Sequence, residues 1–188
     1  MAHHAARRDI QPYSRKRSHP GMVRAHRATA RRNAMSARLL VVYGGRPGGR
    51  TERLRDALLQ GARRSSSAVE LRARPALEAD TDDLLWCKGI VLATPEHFGY
   101  MSGALKDFFD RTFYAAEGRT EAKPYALIVS AGNDGRGTVT AVDRIVSGYR
   151  WTAVAEPLVI VGEPDPLALE RCRELGETLA AGLEAGIF

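Results

Sequence analysis

The chain has 188 residues, 44% of them hydrophobic, and a formal net charge of +6. This length carries one domain with a full core, the composition excludes a disordered chain, and no apolar run approaches the roughly 20 residues of a membrane span. The charge is uneven: residues 1–36 hold nine Lys/Arg and one acid, Asp9, while the rest holds 19 basic and 21 acidic side chains, so the folded part has no global field favouring nucleic acid.

Residues 1–36 show no periodic apolar pattern. They read as a basic, disordered extension ahead of a domain over residues 37–188. Two other readings are an Arg-rich, acid-poor transit peptide and a basic arm that touches nucleic acid or anionic lipid. Four of the five histidines lie here (His3, His4, His19, His26), and their spacing fits no zinc pattern. No metal site is expected anywhere in the chain.

Arg38 to Tyr43 is the first apolar run, closed by the Gly-rich segment Gly44 to Arg50. A helix follows with Thr51 as N-cap and with Leu54, Ala57, Leu58 and Gly61 on one face. Val69 to Arg72 predicts a short strand, and Asp80 to Cys87 a short helix with acids in its first turn. Ile90 to Ala93 is an apolar run without polar alternation, as in a strand covered on both faces. Thr94-Pro95 is expected to stop it. Helix period then takes over over residues 103–115, with Leu105, Phe108, Phe109 and Phe113 at i, i+3, i+4 and i+8. This aromatic face suits either the core or a partner subunit. Tyr125 to Ala131 is the next strand, and a helix carries Val139, Val142, Val146 and Tyr149. Leu158 to Val161 is the last strand, with Pro157 marking it as an edge. Asp165-Pro166 opens the final helix, whose stripe is Ala168, Cys172, Leu175, Leu179 and Leu183.

The order is βα repeated five times. It predicts an α/β, doubly wound parallel sheet of five strands, order 2-1-3-4-5, with helices on both faces. Cys87 and Cys172 fit neither disulfide nor metal spacing and read as buried thiols, in agreement with a cytoplasmic setting.

Three loops follow the carboxyl ends of strands one, three and four, and in this strand order they converge on one crevice, where open parallel sheets bind ligands. Backbone N–H groups in Gly44 to Thr51 suit a phosphate. The string matches a Walker A loop apart from Arg50 in the lysine position. A nucleotide-binding P-loop ranks last, since guanidinium does not replace ammonium conservatively and no later strand ends in a magnesium-binding Asp. Pro95 to Met101 offers a flat apolar surface with free backbone groups, which a tricyclic ring needs. Gly132 to Gly137 contains the turn formers Asn133 and Asp134. No nucleophilic or acid–base set emerges: His97 is the single histidine after residue 36, and Glu96 and His97 on a loop are more often surface residues.

Thr94-Pro-Glu-His-Phe-Gly-Tyr-Met-Ser-Gly-Ala-Leu-Lys-Asp-Phe-Phe-Asp-Arg111 resembles the Thr-Pro-Glu loop and Gly-x-Leu-Lys helix start of the flavodoxin-like NAD(P)H-dependent FMN reductases, including the quinone-reductase branch related to the tryptophan-repressor-binding protein WrbA. Ala131 to Gly137 and the segment Cys172 to Phe188 are similar to the same family, so the resemblance covers residues 37–188. It implies FMN as cofactor and NAD(P)H as electron donor, with a small acceptor such as a quinone or free flavin. Gly45, Arg46, Pro47, Gly48, Gly49, Arg50 and Thr51 would hold the phosphate. Pro95, Glu96, His97, Phe98, Gly99, Tyr100 and Met101 would hold the ring, with Ala131, Gly132, Asn133 and Gly135 on its other side. No catalytic side chain is implied, because the flavin carries the chemistry. A homo-oligomer, dimer or tetramer, is also implied.

One departure stands out. The family's first loop carries Ser/Thr hydroxyls where this chain has Gly45 and Pro47. Each missing hydroxyl removes a bond worth about 1.5–3 kcal/mol, which Arg46 or Arg50 would offset by pairing with the dianion. Two other classes therefore stay open: a flavodoxin-type electron carrier without enzyme activity, and a cofactor-free interaction module.

Overall fold

A computed structural model describes residues 37–188; the basic extension and the readings attached to it lie outside the described residues. Strands β1 (Arg38–Tyr43), β2 (Glu70–Pro75), β3 (Gly89–His97) and β5 (Pro124–Ala131) form the parallel core of the sheet. The last sheet position is shared by two short strands. β6 (Thr152–Ala153) pairs with the start of β5, and β7 (Leu158–Val161) pairs with its end. The order β2-β1-β3-β5 followed by β6 and β7 is the expected 2-1-3-4-5 sheet, with its fifth position interrupted. The remaining strand, β4 (Tyr100–Met101), pairs antiparallel with the end of β3.

Strand alternation sorts the core into two layers. Leu40, Val42, Ile90, Leu92, Leu127 and Val129 face α2 (Thr81–Trp86), α3 (Gly103–Ala116) and α4 (Arg136–Tyr149). Leu39, Val41, Val91, Ala93, Ala126 and Ile128 face α1 (Arg50–Ser65) and α5 (Pro166–Ala185). Phe108 and Phe109 are buried in the first layer, so the aromatic face of α3 belongs to the core. Phe113 stands edge-on to Tyr149 at 5.1 Å. Burial pushes the Tyr149 phenol up to about 12 and the Cys172 thiol up to about 11, and it raises the Cys87 thiol too. Both thiols are buried, as read from the sequence.

Helix α5 starts where expected. Asp165 accepts from the Ala168 N–H at 2.7 Å, and Pro166 occupies the first turn. It lies so close to α1 that a Cβ on Gly61 would overlap the Arg173 carbonyl oxygen, and one on Gly176 the Leu58 carbonyl oxygen. None of the described helices is long and apolar enough to cross a membrane.

Two expectations need correcting. Thr51 is not the N-cap of α1: Gly49 is, and Thr51 is buried inside the first turn. Thr94-Pro95 does not end β3, which runs on to His97. Ala93 O accepts from Gly44 N at 2.8 Å, so the backbone of residue 95, two positions on, faces the same side. There β1 has already ended at Tyr43, and the missing N–H of Pro95 leaves no acceptor unserved.

Candidate functional site

A cavity of about 590 Å³ opens at the carboxyl ends of the central strands, within the usual size range of small-molecule sites. One wall is the loop between β1 and α1: Gly45, Arg46, Gly49, Arg50 and Thr51. The other is the end of β3 and the start of α3: Pro95, His97, Ser102, Gly103 and Ala104. Ser130 of β5 and Glu163 after β7 complete the lining.

The first wall is shaped by glycine. Gly45 and Gly48 adopt φ of 109° and 69°, which side chains rarely tolerate. The N-cap of α1, Gly49, has no side-chain acceptor to give, so the N–H groups at this helix start have no side-chain cap. Glu52 reaches back to the Gly48 N–H at 2.7 Å and holds the loop's outer turn. That backbone hydrogen bond is the main reason its carboxyl titrates below the ordinary carboxylate range.

The two cavity arginines differ. Arg50 Nη1 donates to Gly162 O at 2.9 Å and to Ala131 O at 3.4 Å, tying the start of α1 to the ends of β5 and β7. Arg46 is exposed, and its guanidinium makes no hydrogen bond or ion pair among the described residues. Its neighbour on the rim, Glu163, is paired with Arg53 at 2.8 Å.

The second wall is densely bonded. Thr94 is fully buried, and its hydroxyl accepts from the Ser102 N–H at 3.0 Å. Ser102 in turn caps α3 by accepting from Leu105 N at 3.3 Å. Between them, β3 and β4 form a hairpin with Phe98 and Gly99 at its tip, at φ of 54° and 73°, the positive pair a two-residue primed turn requires. Phe98 is fully exposed and Met101 is buried. Alternation along β3 sends Pro95 and His97 to the cavity and Glu96 the other way. Glu96 Oε2 there accepts from the N–H groups of Gly132 and Asn133, at 3.0 and 2.8 Å. A Cβ on Gly137 would overlap the Gly99 carbonyl oxygen, so the hairpin tip rests on the start of α4.

Of the residues singled out from sequence, Gly45, Arg46, Gly49, Arg50, Thr51, Pro95 and His97 meet around the cavity. Pro47 and Gly48 lie on the exposed outer side of the first loop. Phe98, Gly99 and Tyr100 form the hairpin tip. Met101 and Ala131 are core residues, and Gly132, Asn133 and Gly135 belong to the loop that Glu96 holds. Sequence reasoning missed Ser102, Gly103, Ala104, Ser130 and Glu163. Ser102 carried a readable signal as a capping residue directly before the helical period. Ser130 was the polar residue near the end of an apolar strand. Glu163 had no signal, because only the sheet order brings it to the rim.

The donor set suits a phosphorylated ring. An N-terminal helix turn with no side-chain cap and a guanidinium unpaired among the described residues stand at one end, and a preformed strand–turn–helix wall at the other. Among the described residues no group of His, Cys, Asp and Glu is arranged to hold a metal ion.

The family profile described as NADPH-dependent FMN reductase matches residues 37–164. A flavodoxin from Aquifex aeolicus is 29% identical over 159 residues, covering 76% of this chain and 85% of its own length. An NAD(P)H dehydrogenase (quinone) from Acidithiobacillus ferrooxidans is 29% identical over 148 residues, covering 68% and 72%. Among solved structures, a flavodoxin, WrbA-like protein from Agrobacterium tumefaciens superimposes with a TM-score of 0.64 at 20% identity, over 80% of this chain and 99% of that one. The fold is flavodoxin-like, and the chain belongs to the NADPH-dependent FMN reductase family.

Proposed function

We propose that the protein binds FMN in this cavity and passes electrons from NAD(P)H to a small acceptor such as a quinone or free flavin. The observation that carries the reading is the pairing of the uncapped start of α1 with the preformed β3–β4–α3 wall across one cavity. The phosphate would sit at the first turn of α1, where backbone N–H groups, Thr51 and Arg46 supply donors. Arg46 is the first candidate of the two arginines for this role, since Arg50 Nη1 already donates to carbonyls of the sheet end. Pro95 and His97 would border the ring on the second wall. When bound, FMN supplies hydride acceptance and donation. The protein's part is to hold the cofactor, exclude water beneath it and leave one face open to both substrates in turn. The quinone dehydrogenase relative supports a quinone as acceptor.

Purified protein is expected to be yellow, or to become so with added FMN, and NAD(P)H should bleach it without oxygen. Protein that stays colourless after incubation with FMN overturns the reading. The flavodoxin relative favours a second reading, an electron carrier that exchanges single electrons with protein partners. Slow NAD(P)H oxidation together with two well-separated one-electron steps in a redox titration would select it.

A further inference from the structure

Reduction of a quinone to a hydroquinone consumes a hydride and a proton, and NAD(P)H delivers only the hydride. The cavity must therefore reach a proton source. Of its ionisable side chains, Arg46 and Arg50 do not release protons at working pH, and Glu163 is paired with Arg53. Ser102 is spent on the α3 cap. His97 is left: it lines the cavity, its imidazole makes no hydrogen bond among the described residues, and it is the single histidine there. It also sits on a rigid element. The strand that carries it is fixed by Thr94–Ser102, by buried Met101 and by the contact of Gly99 with Gly137.

We infer that His97 is a catalytic proton donor to the acceptor, an inference that rests on the function proposed above. Two electrons and one hydrogen reach the quinone as hydride drawn from NAD(P)H. The hydride forms an O–H bond at one quinone oxygen; both C=O π bonds open, a new ring C=C makes the ring aromatic, and the second oxygen is left with the negative charge. That oxygen takes the proton of the His97 imidazolium; the N–H bond breaks, its electron pair stays on nitrogen, and exposed His97 regains a proton from solvent. The charged groups around the imidazole are few. Tyr100 is its cross-strand partner, and Glu96 beside it points away to Gly132 and Asn133. Arg46, Arg50 and Glu163 line the same cavity, and Lys106 on α3 is paired with Asp110.

The test uses full-length, FMN-loaded protein with two acceptors, a water-soluble benzoquinone and ferricyanide, which takes an electron and no proton. Wild-type quinone turnover should fall as pH rises, while ferricyanide turnover does not follow it. The His97→Gln variant should lower the ratio of quinone to ferricyanide kcat by about 100-fold and lose that pH limb. As a readout apart from turnover, the His97 ring proton signal, assigned by its absence in His97→Gln, should shift when oxidised benzoquinone is added to the loaded protein. A ratio and limb that survive in a variant that still takes up FMN overturn this inference alone, as does a His97 signal that benzoquinone leaves in place. A wild type that takes up no FMN overturns the proposed function, and this inference with it.

Discussion

The two walls of the cavity differ in how much of their polar chemistry is already spent. On the β3–β4–α3 side, Thr94, Ser102 and Glu96 satisfy the hairpin, the helix start and the neighbouring loop from within. On the β1–α1 side the loop is glycine-built, the N-cap has no side chain to offer, and Arg46 is unpaired among the described residues. The finished wall suits a flat, rigid, largely apolar group, whose binding gains little from rearrangement. The unfinished wall suits an anion, which supplies the acceptors that the helix start lacks. The difference also says where binding should stabilise the protein: ligand adds hydrogen bonds on the side that has few.

That contrast can be broken most severely at Gly137. An alanine there meets the Gly99 carbonyl oxygen and pushes the hairpin tip off α4. Gly137→Ala is expected to lose about 1–3 kcal/mol of stability in denaturant unfolding and to weaken flavin uptake, because the finished wall loses its support. Wild-type stability in this variant would mean that the hairpin is not braced. A smaller break removes the α3 cap: Ser102→Ala should cost about 1 kcal/mol, read from the same unfolding curves, since Leu105 N loses its acceptor. The smallest effect tests the first loop through Glu52. Its carboxyl is held below the ordinary carboxylate range by the Gly48 N–H, so its contribution is full above that range and fades as pH falls through the lowered value. Glu52→Gln should flatten this part of the acid unfolding profile, by less than about 1 kcal/mol for a partly exposed group that solvent screens.

Much of the fold was legible because the punctuation was local. Asp165-Pro166 marked the start of α5, the apolar run Arg38 to Tyr43 marked β1, and the helical period from Leu105 marked α3. What stayed hidden depended on neighbours distant in sequence. Pro95 reads as a strand end until it is known that β1 stops beside it. Glu96 reads as a surface acid or a ring contact until β5 brings the N–H groups of Gly132 and Asn133 within reach. Arg50 reads as a phosphate partner, and its Nη1 contacts with the ends of β5 and β7 emerge only once the sheet is assembled. The two-residue strands β4 and β6 are too short to show any period. About half of the cavity lining was therefore readable: the part contributed by segments that run straight out of a recognisable strand.

The divided fifth position of the sheet has a consequence away from the cavity. An uninterrupted edge strand presents a row of free backbone groups that invites another chain to add itself. Here β6 and β7 offer two residues and four, with Pro157 standing in the gap between them. A stray polypeptide would find no run long enough to template on, so this margin of the molecule guards itself against unwanted ribbon-to-ribbon growth by being broken.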